Sequence, residues 1–308
     1  MRRPRYSYGQ LVLTTITRTT PAKVNLCLRI VGRRSDGYHL LDSIFAAIDL
    51  SDRLTISAAR TRDATDVEVA CDHPQVPADE TNLAARAARA LLERCEVAAR
   101  VRITIEKHVP PGAGLGGGSS NAATVLTALR DMLSLNIGPG ELAELALSLG
   151  ADVPFFLTGG CARVRGIGER VDPIAGWPNR ELVVALPPVA VSTAWAFHHY
   201  RGGYASDPVE PARMAAGERL DPALMRNDLE SVVLAAYPEV AIAKSGLLAA
   251  GAAATVMSGS GAAVLGLSPP GSSARVIRDA FAAAHPSMAV HSCRILTASG
   301  SPIGSPIG

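Results

Sequence analysis

Residues 105–133 read IEKHVPPGAGLGGGSSNAATVLTALRDML and carry the strongest structural signal in the chain. Apolar residues at positions 101, 103 and 105 alternate with polar ones and predict a strand. Ala122, Leu126, Leu129 and Leu133 recur at three- and four-residue steps and predict a helix. Five glycines and two serines lie between the two elements, and either serine could cap the helix. Free N–H groups and the positive end of the helix dipole then form an anion site, most often for phosphate.

Two common glycine motifs fit this loop only in part. A Walker-type loop requires a lysine after its second glycine, and Gly118 stands at that position. A dinucleotide fingerprint is matched by Gly112, Gly114 and Gly117, but the acidic residue expected about 20 residues later is missing. A flexible Gly/Ser linker would not run directly into a well-patterned helix. We therefore expect the loop to bind phosphate in a way that neither of these two motifs describes.

The composition bounds the class of protein. The chain has 308 residues, 48% of them hydrophobic and 19% charged, which is typical of a globular protein of about two domains. The net charge of +2 gives no indication of nucleic-acid or membrane-surface binding. Five scattered cysteines without a C-x-x-C pair favour free thiols in a reducing compartment. We therefore expect a cytoplasmic protein that binds neither nucleic acid nor membrane, as a monomer or weak homodimer.

One uncharged stretch invites a membrane interpretation. Residues 245–274 contain no charged side chain, but glycine and serine interrupt their centre. A membrane-spanning helix needs about 20 predominantly apolar residues in a row. We interpret the stretch as buried core, with short strands at 254–258 and 263–267 around a second glycine loop, residues 258–261. That loop is predicted to approach the first one.

The remaining pattern predicts further elements. Strands are expected at 11–18, 20–28, 43–50, 52–57 and 181–186, and helices at 83–94, 139–149 and 237–251. Thr81 is the expected cap of the first of these helices, with Asn82 in its first turn.

The ends and the domain boundary follow from composition. A shift near residues 177–179 predicts an N-terminal domain over 11–178 and a C-terminal domain over 179–298. Residues 1–10 are expected to be a disordered extension, and residues 299–308 a loose tail.

Two polar residues share one face of a predicted strand. Lys23 and Asn25 alternate with apolar neighbours, so their side chains point to the same side. A lysine and an amide together suit a negatively charged substrate group. An ordinary solvent-facing pair is an equally good interpretation of the spacing.

Three other residues are candidates for a functional role, although a purely structural role would also explain each of them. Tyr38 and His39 follow a predicted turn, where they could stack on a base, although a structural histidine is the commoner case. Asp152 lies between a helix end and an apolar segment, where its carboxylate could be partly buried and reactive, or could simply form a turn. No group of Asp, Glu, Cys and His has zinc-site spacing, and the sequence does not identify the metal ligands.

Three separated segments, residues 21–25, 110–123 and 258–261, resemble the motifs of the GHMP kinases (galactokinase, homoserine kinase, mevalonate kinase and phosphomevalonate kinase). The resemblance covers residues 14–298. It implies an α+β fold of two domains, the N-terminal one like ribosomal protein S5 domain 2 and the C-terminal one ferredoxin-like. The active site is then expected in the cleft between them.

Further segments resemble one branch of that family. These are DGYH at 36–39, GADVPFF at 150–156 and NDLE at 227–230. The branch transfers the γ-phosphate of ATP, with Mg²⁺, to the tertiary 2-hydroxyl of a methylerythritol unit carried on cytidine diphosphate. This reaction belongs to the non-mevalonate route to isoprenoids. The alternatives are another GHMP kinase, of the homoserine or mevalonate type, or a non-catalytic nucleotide-binding member.

The resemblance also implies roles for individual residues. Asp152 corresponds to the base that accepts the hydroxyl proton, and Lys23 to the cation that steadies developing charge. Asn82 corresponds to a residue of the adenine pocket. The triphosphate loop comprises Pro110, Pro111, Gly112, Ala113, Gly114, Leu115, Gly116, Gly117, Gly118, Ser119 and Ser120. The residues expected at the cytidine-bearing substrate are Asn25, Tyr38, His39, Lys107, Thr193 and Phe197.

Two departures from the family pattern stand out. The N-terminal extension is longer than expected, and the loop reads Pro-Gly-Ala-Gly at 111–114, where methionine or another glycine commonly follows the proline. Neither departure involves a proposed chemical group. The alanine-rich second domain matches least, so the implied roles of Thr193 and Phe197 rest on the weakest similarity.

Overall fold

The computed structural model describes residues 13–62, 64–206, 208–217 and 219–297. The predicted extension at 1–10 and the predicted tail at 299–308 lie outside these ranges. Within them, the chain forms two β-sheets, each covered by helices. The predicted boundary after residue 178 falls between the sheets, because the last strand of the first ends at Pro173 and the first strand of the second begins at Glu181.

The first sheet has the strand order β3-β4-β2-β5-β6, with β1 paired to β2. Its strands are β1 (Thr14–Arg33), β2 (His39–Arg60), β3 (Asp66–Cys71), β4 (Ala99–Glu106), β5 (Cys161–Gly166) and β6 (Arg170–Pro173). Its helices are α1 (Leu83–Arg94), α2 (Gly117–Met132), α3 (Pro139–Leu149) and α4 (Val153–Thr158). Pairing is antiparallel except between β3 and β4.

The second sheet has the antiparallel order β10-β7-β9-β8. Its strands are β7 (Glu181–Leu186), β8 (Ala254–Met257), β9 (Val264–Leu267) and β10 (Ala289–Arg294). Its helices are α5 (Thr193–His199), α6 (Val209–Ala216), α7 (Glu230–Ala236), α8 (Pro238–Ala249) and α9 (Ala274–Ala284), with a 3-10 turn at Pro222–Leu224. The second domain consists in order of a strand, helices, a hairpin, a helix and an outer strand, which is a ferredoxin-like arrangement. The predicted two-domain α+β fold is therefore confirmed.

Two pairs of predicted strands are continuous in the structure. Residues 14–18 of the strand expected at 11–18, and the strand expected at 20–28, belong to β1; residues 11 and 12 lie outside the described ranges. The strands expected at 43–50 and 52–57 belong to β2. The two long strands pair along their length, and this pairing is invisible to local sequence patterns. Pro21, which lacks an N–H donor, is accommodated because the register shifts between it and Ala22.

Both predicted helix caps were wrong. Asn82, not Thr81, caps α1, and its Oδ1 accepts a hydrogen bond from the Ala84 N–H at 2.9 Å. Helix α2 begins earlier than expected, because Gly116 adopts a left-handed φ of 69° and serves as the cap. The two loop serines therefore lie inside the first turn. The apolar face predicted for α2 is buried as expected.

A hydrophobic cluster joins the two sheets and positions the cleft. It contains Val24 and Leu26 of β1, Leu182 and Val184 of β7, and Leu265 of β9, all at most 1% exposed. Burial of such side chains stabilises the fold by about 1.5–3 kcal/mol each. The opposite face of β1 carries Lys23 and Asn25, so this packing sets their position relative to the second sheet.

The uncharged stretch at 245–274 forms the end of α8, the β8–β9 hairpin and the segment that leads to α9, and the residues of the hairpin are largely buried. This agrees with the predicted core. Among the described residues, no single helix is long and apolar enough to cross a bilayer. Helices α7 and α8 together meet the length and composition, with a bend of 106° between them.

Candidate active site

Lys23 and Asp152 meet at the centre of the cleft. Lys23 Nζ lies 3.3 Å from Asp152 Oδ2 and donates a hydrogen bond to Asn25 Oδ1 at 2.8 Å. The ammonium also lies 4.6 Å from the centroid of the Phe45 ring. Lys23 is 3% exposed, whereas the side chain of Asp152 is 33% exposed. The lysine is therefore held on several sides, and the carboxylate keeps a face open to the cleft.

The strand and helix ends explain this meeting. Alternation along β1 places Lys23 and Asn25 on one face, as predicted. Asn25 is itself fixed, because its Nδ2 donates to Ser43 Oγ at 3.0 Å. Helix α3 ends at Gly150, and the chain then turns so that Asp152 immediately precedes α4. Asp152 is thus held by a short helix packed into the core through Phe155 and its neighbours.

The glycine loop is attached to the same strand. The Lys23 N–H donates to the Leu115 carbonyl at 2.9 Å. A cavity of about 370 Å³, called here the loop cavity, lies between this loop and the start of α1. It is lined by Gln75, Val76, Pro77, Thr81, Asn82, Leu83, Lys107, Pro110, Pro111, Gly112, Gly114, Leu115, Gly116, Gly117, Gly118, Ser119 and Asn121. All predicted loop residues except Ala113 and Ser120 line it.

The two exceptions have other contacts. The Ala113 carbonyl accepts a hydrogen bond from the Ala263 N–H at 3.3 Å, which ties the loop to the second sheet. Ser120 is buried in α2, and its hydroxyl has no partner among the described protein atoms. Asn82 lines the far end of the loop cavity, where its amide also donates to the Pro77 carbonyl at 2.7 Å.

The second glycine loop reaches the first, as predicted. A Cβ added to Gly114 would lie only 2.7 Å from the Ser258 carbonyl oxygen. Ser258 Oγ accepts a hydrogen bond from the Asn25 N–H at 3.2 Å. Behind the loop, Asn227 donates to the carbonyls of Met257 and Gly259, both at 2.7 Å. The two domains therefore touch beside the Lys23–Asp152 pair.

A second cavity of about 650 Å³ opens on the other side of this pair. This aromatic cavity is lined by Arg33, Asp36, Gly37, Tyr38, His39, Leu41, Phe45, Ala151, Asp152, Val164, Ile167, Gly168, Thr193, Ala194, Phe197 and His198. The structure thus brings together four of the residues predicted for the cytidine-bearing substrate, namely Tyr38, His39, Thr193 and Phe197.

The rings of this cavity are arranged for stacking. His39 and Phe197 are stacked, with centroids 5.4 Å apart and planes at 27°. Tyr38 is 63% exposed at the rim. Burial, and secondarily the charge of Arg33, lowers the pKa of His39, so its ring is neutral at pH 7. Thr193 Oγ1 lies 2.8 Å from Ser260 Oγ, which links α5 to the second glycine loop.

The structure places Lys107 apart from these residues, in the wall of the loop cavity. Lys107 follows β4 directly. Its ammonium donates to Asp52 Oδ2 at 2.6 Å. A Cβ added to Gly117 would lie 2.8 Å from Lys107 Nζ, so the ammonium sits against the first residue of α2. Asn25 also lies apart from the aromatic cavity, because it is turned toward Lys23 and Ser43.

Sequence reasoning missed several residues that shape the site. Asp52 is buried at 0% exposure yet ionisable, and Phe45 forms the floor under Lys23. Thr20 on β1 donates to Asn121 on α2 at 2.6 Å, which fixes the helix to the strand. Each partner is distant in the sequence, so no local pattern could have found them. Thr20 follows Arg18 and Thr19, and Asn121 follows two serines, so neither stands out from its neighbours in the sequence.

No group of three or more His, Cys, Asp and Glu residues that could hold a metal occurs in the described ranges. Mg²⁺ commonly keeps water and substrate phosphates as ligands and needs few protein groups. The donor set fits a metal that arrives with a nucleotide better than a metal held in a cage of protein side chains.

The comparisons with known proteins agree with this geometry. Two family models match, described as the GHMP kinases N terminal domain, at residues 82–160, and the GHMP kinases C terminal domain, at residues 212–287. A 4-diphosphocytidyl-2-C-methyl-D-erythritol kinase from Syntrophotalea carbinolica is 40% identical over 255 residues, covering 83% of this chain and 90% of its own. One of the same name from Synechococcus sp. is 42% identical over 263 residues, covering 80% and 83%.

Solved structures show the same relation. A crystal structure of 4-(cytidine 5'-diphospho)-2C-methyl-D-erythritol kinase superposes with a TM-score of 0.75 at 37% identity, covering 91% of this chain and 99% of its own. Homoserine kinase from Cytophaga hutchinsonii gives a TM-score of 0.72 at 20% identity, covering 94% and 97%. At that identity, the second likeness concerns the fold alone.

Proposed function

Since the chain belongs to the 4-diphosphocytidyl-2-C-methyl-D-erythritol kinases of the GHMP kinase family, we propose that ATP occupies its loop cavity and the cytidyl alcohol its aromatic cavity. The chain is a phosphotransferase that phosphorylates the 2-hydroxyl of 4-diphosphocytidyl-2-C-methyl-D-erythritol, in the methylerythritol phosphate route to isoprenoids. The observation that carries the two-cavity assignment is the position of the Lys23–Asp152 pair. Lys23 packs under Gly116 of the loop cavity, and Asp152 lines the aromatic cavity.

The chemical step uses the groups at this junction. The acceptor oxygen forms a bond to the γ-phosphorus, while the bond from that phosphorus to the bridging oxygen breaks and ADP leaves. Asp152 accepts the hydroxyl proton, because its partly exposed carboxylate faces the acceptor cavity. The buried ammonium of Lys23 orients that carboxylate and supplies positive charge near the transferred group. Together the two residues position the alcohol and balance charge as it moves.

The loop cavity fits the triphosphate. The start of α2 offers free N–H groups and the positive end of its dipole to the cavity, and Lys107 adds an ammonium beside them. A Cβ added to Gly118 would meet no atom within 4 Å, so the first turn is open to a ligand. The adenine lies toward Asn82, where Val76, Pro77 and Leu83 provide an apolar wall. Mg²⁺, when bound with the nucleotide, neutralises phosphate charge.

The aromatic cavity fits a pyrimidine at one end and an alcohol at the other. Tyr38, His39 and Phe197 provide ring faces and a neutral imidazole for the base. Thr193 and Asp152 add a hydroxyl and a carboxylate to the lining of the same cavity. A substrate that carries both a base and a polyol would span this length, which supports the cytidyl alcohol over a small alcohol such as homoserine or mevalonate.

The setting of the enzyme is also a proposal. The five cysteines are free, three of them buried, which supports a reducing cytoplasm. We expect a monomer or a weak homodimer that binds small molecules, and neither nucleic acid nor membrane. The proposed N-terminal and C-terminal domains, 11–178 and 179–298, then hold the substrates in the cleft between them.

One experiment tests the assignment. ATP consumption is measured with no acceptor, with the cytidyl alcohol, with mevalonate and with homoserine. We expect turnover with the cytidyl alcohol only. Turnover of mevalonate or homoserine but not of the cytidyl alcohol would assign the chain to another GHMP kinase type. ATP binding without turnover of any acceptor would instead favour a non-catalytic member.

A further inference from the structure

A buried carboxylate lies behind the loop cavity and carries no role in the reaction described above. Asp52, in the middle of β2, is 0% exposed. Its Oδ2 accepts a hydrogen bond from Lys107 Nζ at 2.6 Å. Its Oδ1 accepts from the N–H groups of His108 at 2.8 Å and Val109 at 2.7 Å. One side chain therefore fixes three successive residues at the entry to the glycine loop.

Lys107, whose ammonium is bound by Asp52, forms part of the wall of the loop cavity. Its side chain is only 4% exposed. A Cβ added to Gly117 would lie 2.8 Å from Lys107 Nζ and 2.9 Å from Val109 Cγ1. Because Gly117 has no side chain, the ammonium approaches the backbone of the first helical residue. The cation and the helix N-terminus thus face the same space.

The chain holds Lys107 from a second side as well. The Lys107 N–H donates to Asp72 Oδ1 at 2.9 Å, so the backbone at this residue is also anchored. A buried carboxylate is costly unless charges and hydrogen bonds compensate it, and Asp52 has one ammonium and two N–H donors. Such a group leaves its lysine little freedom. The Lys107 side chain is therefore already ordered in the folded protein, and nucleotide binding does not have to order it.

We infer that Asp52 is a positioning residue for ATP, which acts through Lys107 to hold the ammonium in place beside the triphosphate. In Asp52→Asn the amide oxygen can still accept from the N–H groups of His108 and Val109, so the substitution tests the contact with the lysine. The inference rests on the proposed use of the loop cavity for ATP. Without Asp52, the lysine is free to rotate away from α2, and nucleotide binding weakens. Asp52 touches neither substrate, so the acceptor site and the proton transfer at Asp152 stay unchanged.

The test is a double-mutant cycle on nucleotide binding. The dissociation constant of a non-hydrolysable ATP analogue with Mg²⁺ is measured for the wild type, Asp52→Asn, Lys107→Met and the double variant. We expect a weakening of about tenfold for each single variant, typical of one lost charge contact. We expect the double variant to be no weaker than Lys107→Met alone, because Asp52 acts only through the lysine.

A matched control separates positioning from stability. Asp42 lies on the same strand, is buried and forms a partly buried ion pair with Arg163, with Nη2 to Oδ2 at 2.5 Å, and it lines neither cavity. Asp42→Asn is expected to lower the midpoint of thermal unfolding and to leave the analogue's dissociation constant unchanged. Asp52→Asn is expected to raise the KM for ATP while the KM for the cytidyl alcohol stays constant.

Two results would overturn the inference. One is unaltered analogue binding in a folded Asp52→Asn variant, or in Lys107→Met should Asp52→Asn fail to fold. The other is a further tenfold loss on adding Asp52→Asn to Lys107→Met. Because analogue binding needs no acceptor, these outcomes are independent of turnover. A failure of the proposed reaction with the cytidyl alcohol would therefore be recognised separately.

Discussion

Lys23 Nζ and Asp152 Oδ2 lie 3.3 Å apart, although one residue is on the first strand and the other follows the third helix. The contact depends on the packing of α2 against β1 and of α4 against α2. The Lys23–Asp152 pair lies between the loop cavity, which contains the N-terminus of α2, and the aromatic cavity. In the proposed assignment, the pair therefore lies at the boundary between the phosphate donor and the acceptor alcohol.

The first prediction concerns the carboxylate of this pair. Asp152→Asn keeps the size of the side chain but removes the proton acceptor. We expect kcat to fall by about 10²–10⁴-fold, while the dissociation constant of the ATP analogue changes little. Asp131→Asn is the control, since Asp131 is exposed on α2 and lines neither cavity. An unaltered kcat in Asp152→Asn would remove the residue from the mechanism.

The second prediction concerns the contact between the two glycine loops. Gly112 and Gly114 both have φ near +70°, at 71° and 77°, but an added Cβ has open space at Gly112 and meets the Ser258 carbonyl at Gly114. Gly112→Ala is expected to lower the free energy of unfolding by about 1–2 kcal/mol, the cost of the left-handed backbone. Gly114→Ala is expected to lower the free energy of unfolding by about 1–3 kcal/mol more than Gly112→Ala, because its Cβ is overpacked against the second loop.

Chemical denaturation of the two glycine variants measures this difference. Equal losses in both would mean that the loops separate without cost, and that the contact seen between Gly114 and Ser258 adds nothing to stability.

The third prediction follows from the lowered pKa of His39. Burial and Arg33 hold this pKa below 6.5, so the imidazole is neutral above that pH and gains a charge only as pH falls through the lowered pKa. The charged ring would be poorly solvated in its stack with Phe197. We expect the KM for the cytidyl alcohol to be constant from pH 6.5 to 8 and to rise at lower pH, with the KM for ATP unaffected.

A non-titrating variant provides the control for that profile. In His39→Gln the rise of the acceptor KM at low pH should disappear. A rise of the same size in His39→Gln would assign the pH dependence to another group.

The fourth prediction concerns thiol reactivity. Burial raises the pKa of Cys27 and Cys293 to about 12 and also raises that of Cys161, so none of the three forms a thiolate at pH 8. Cys71 and Cys95 are only half-buried. We expect a thiol reagent at pH 8 to modify at most these two in the folded protein and all five in denaturant. Rapid modification of a third thiol in the folded protein would contradict the burial of the other three.

Short-range patterns in the sequence determined a large part of the molecule. Alternation placed Lys23 and Asn25 on one face, and helical periodicity defined the buried face of α2, because both depend only on the repeat of one element. The order of the motifs indicated the GHMP kinase fold and the two glycine loops. These features required no knowledge of which segments touch.

Only the tertiary structure decided the rest. Lys107 lies in the wall of the loop cavity, where its ammonium is held by Asp52 of β2, whereas sequence similarity alone had grouped it with Tyr38 and His39. The length of β1 and β2 likewise depends on their pairing, and the cap of α2 on the left-handed backbone of Gly116, which Lys23 and Phe156 approach closely. Local preferences are worth only fractions of a kcal/mol per residue, whereas long-range packing and a buried charge pair are worth several, so the tertiary contacts prevail.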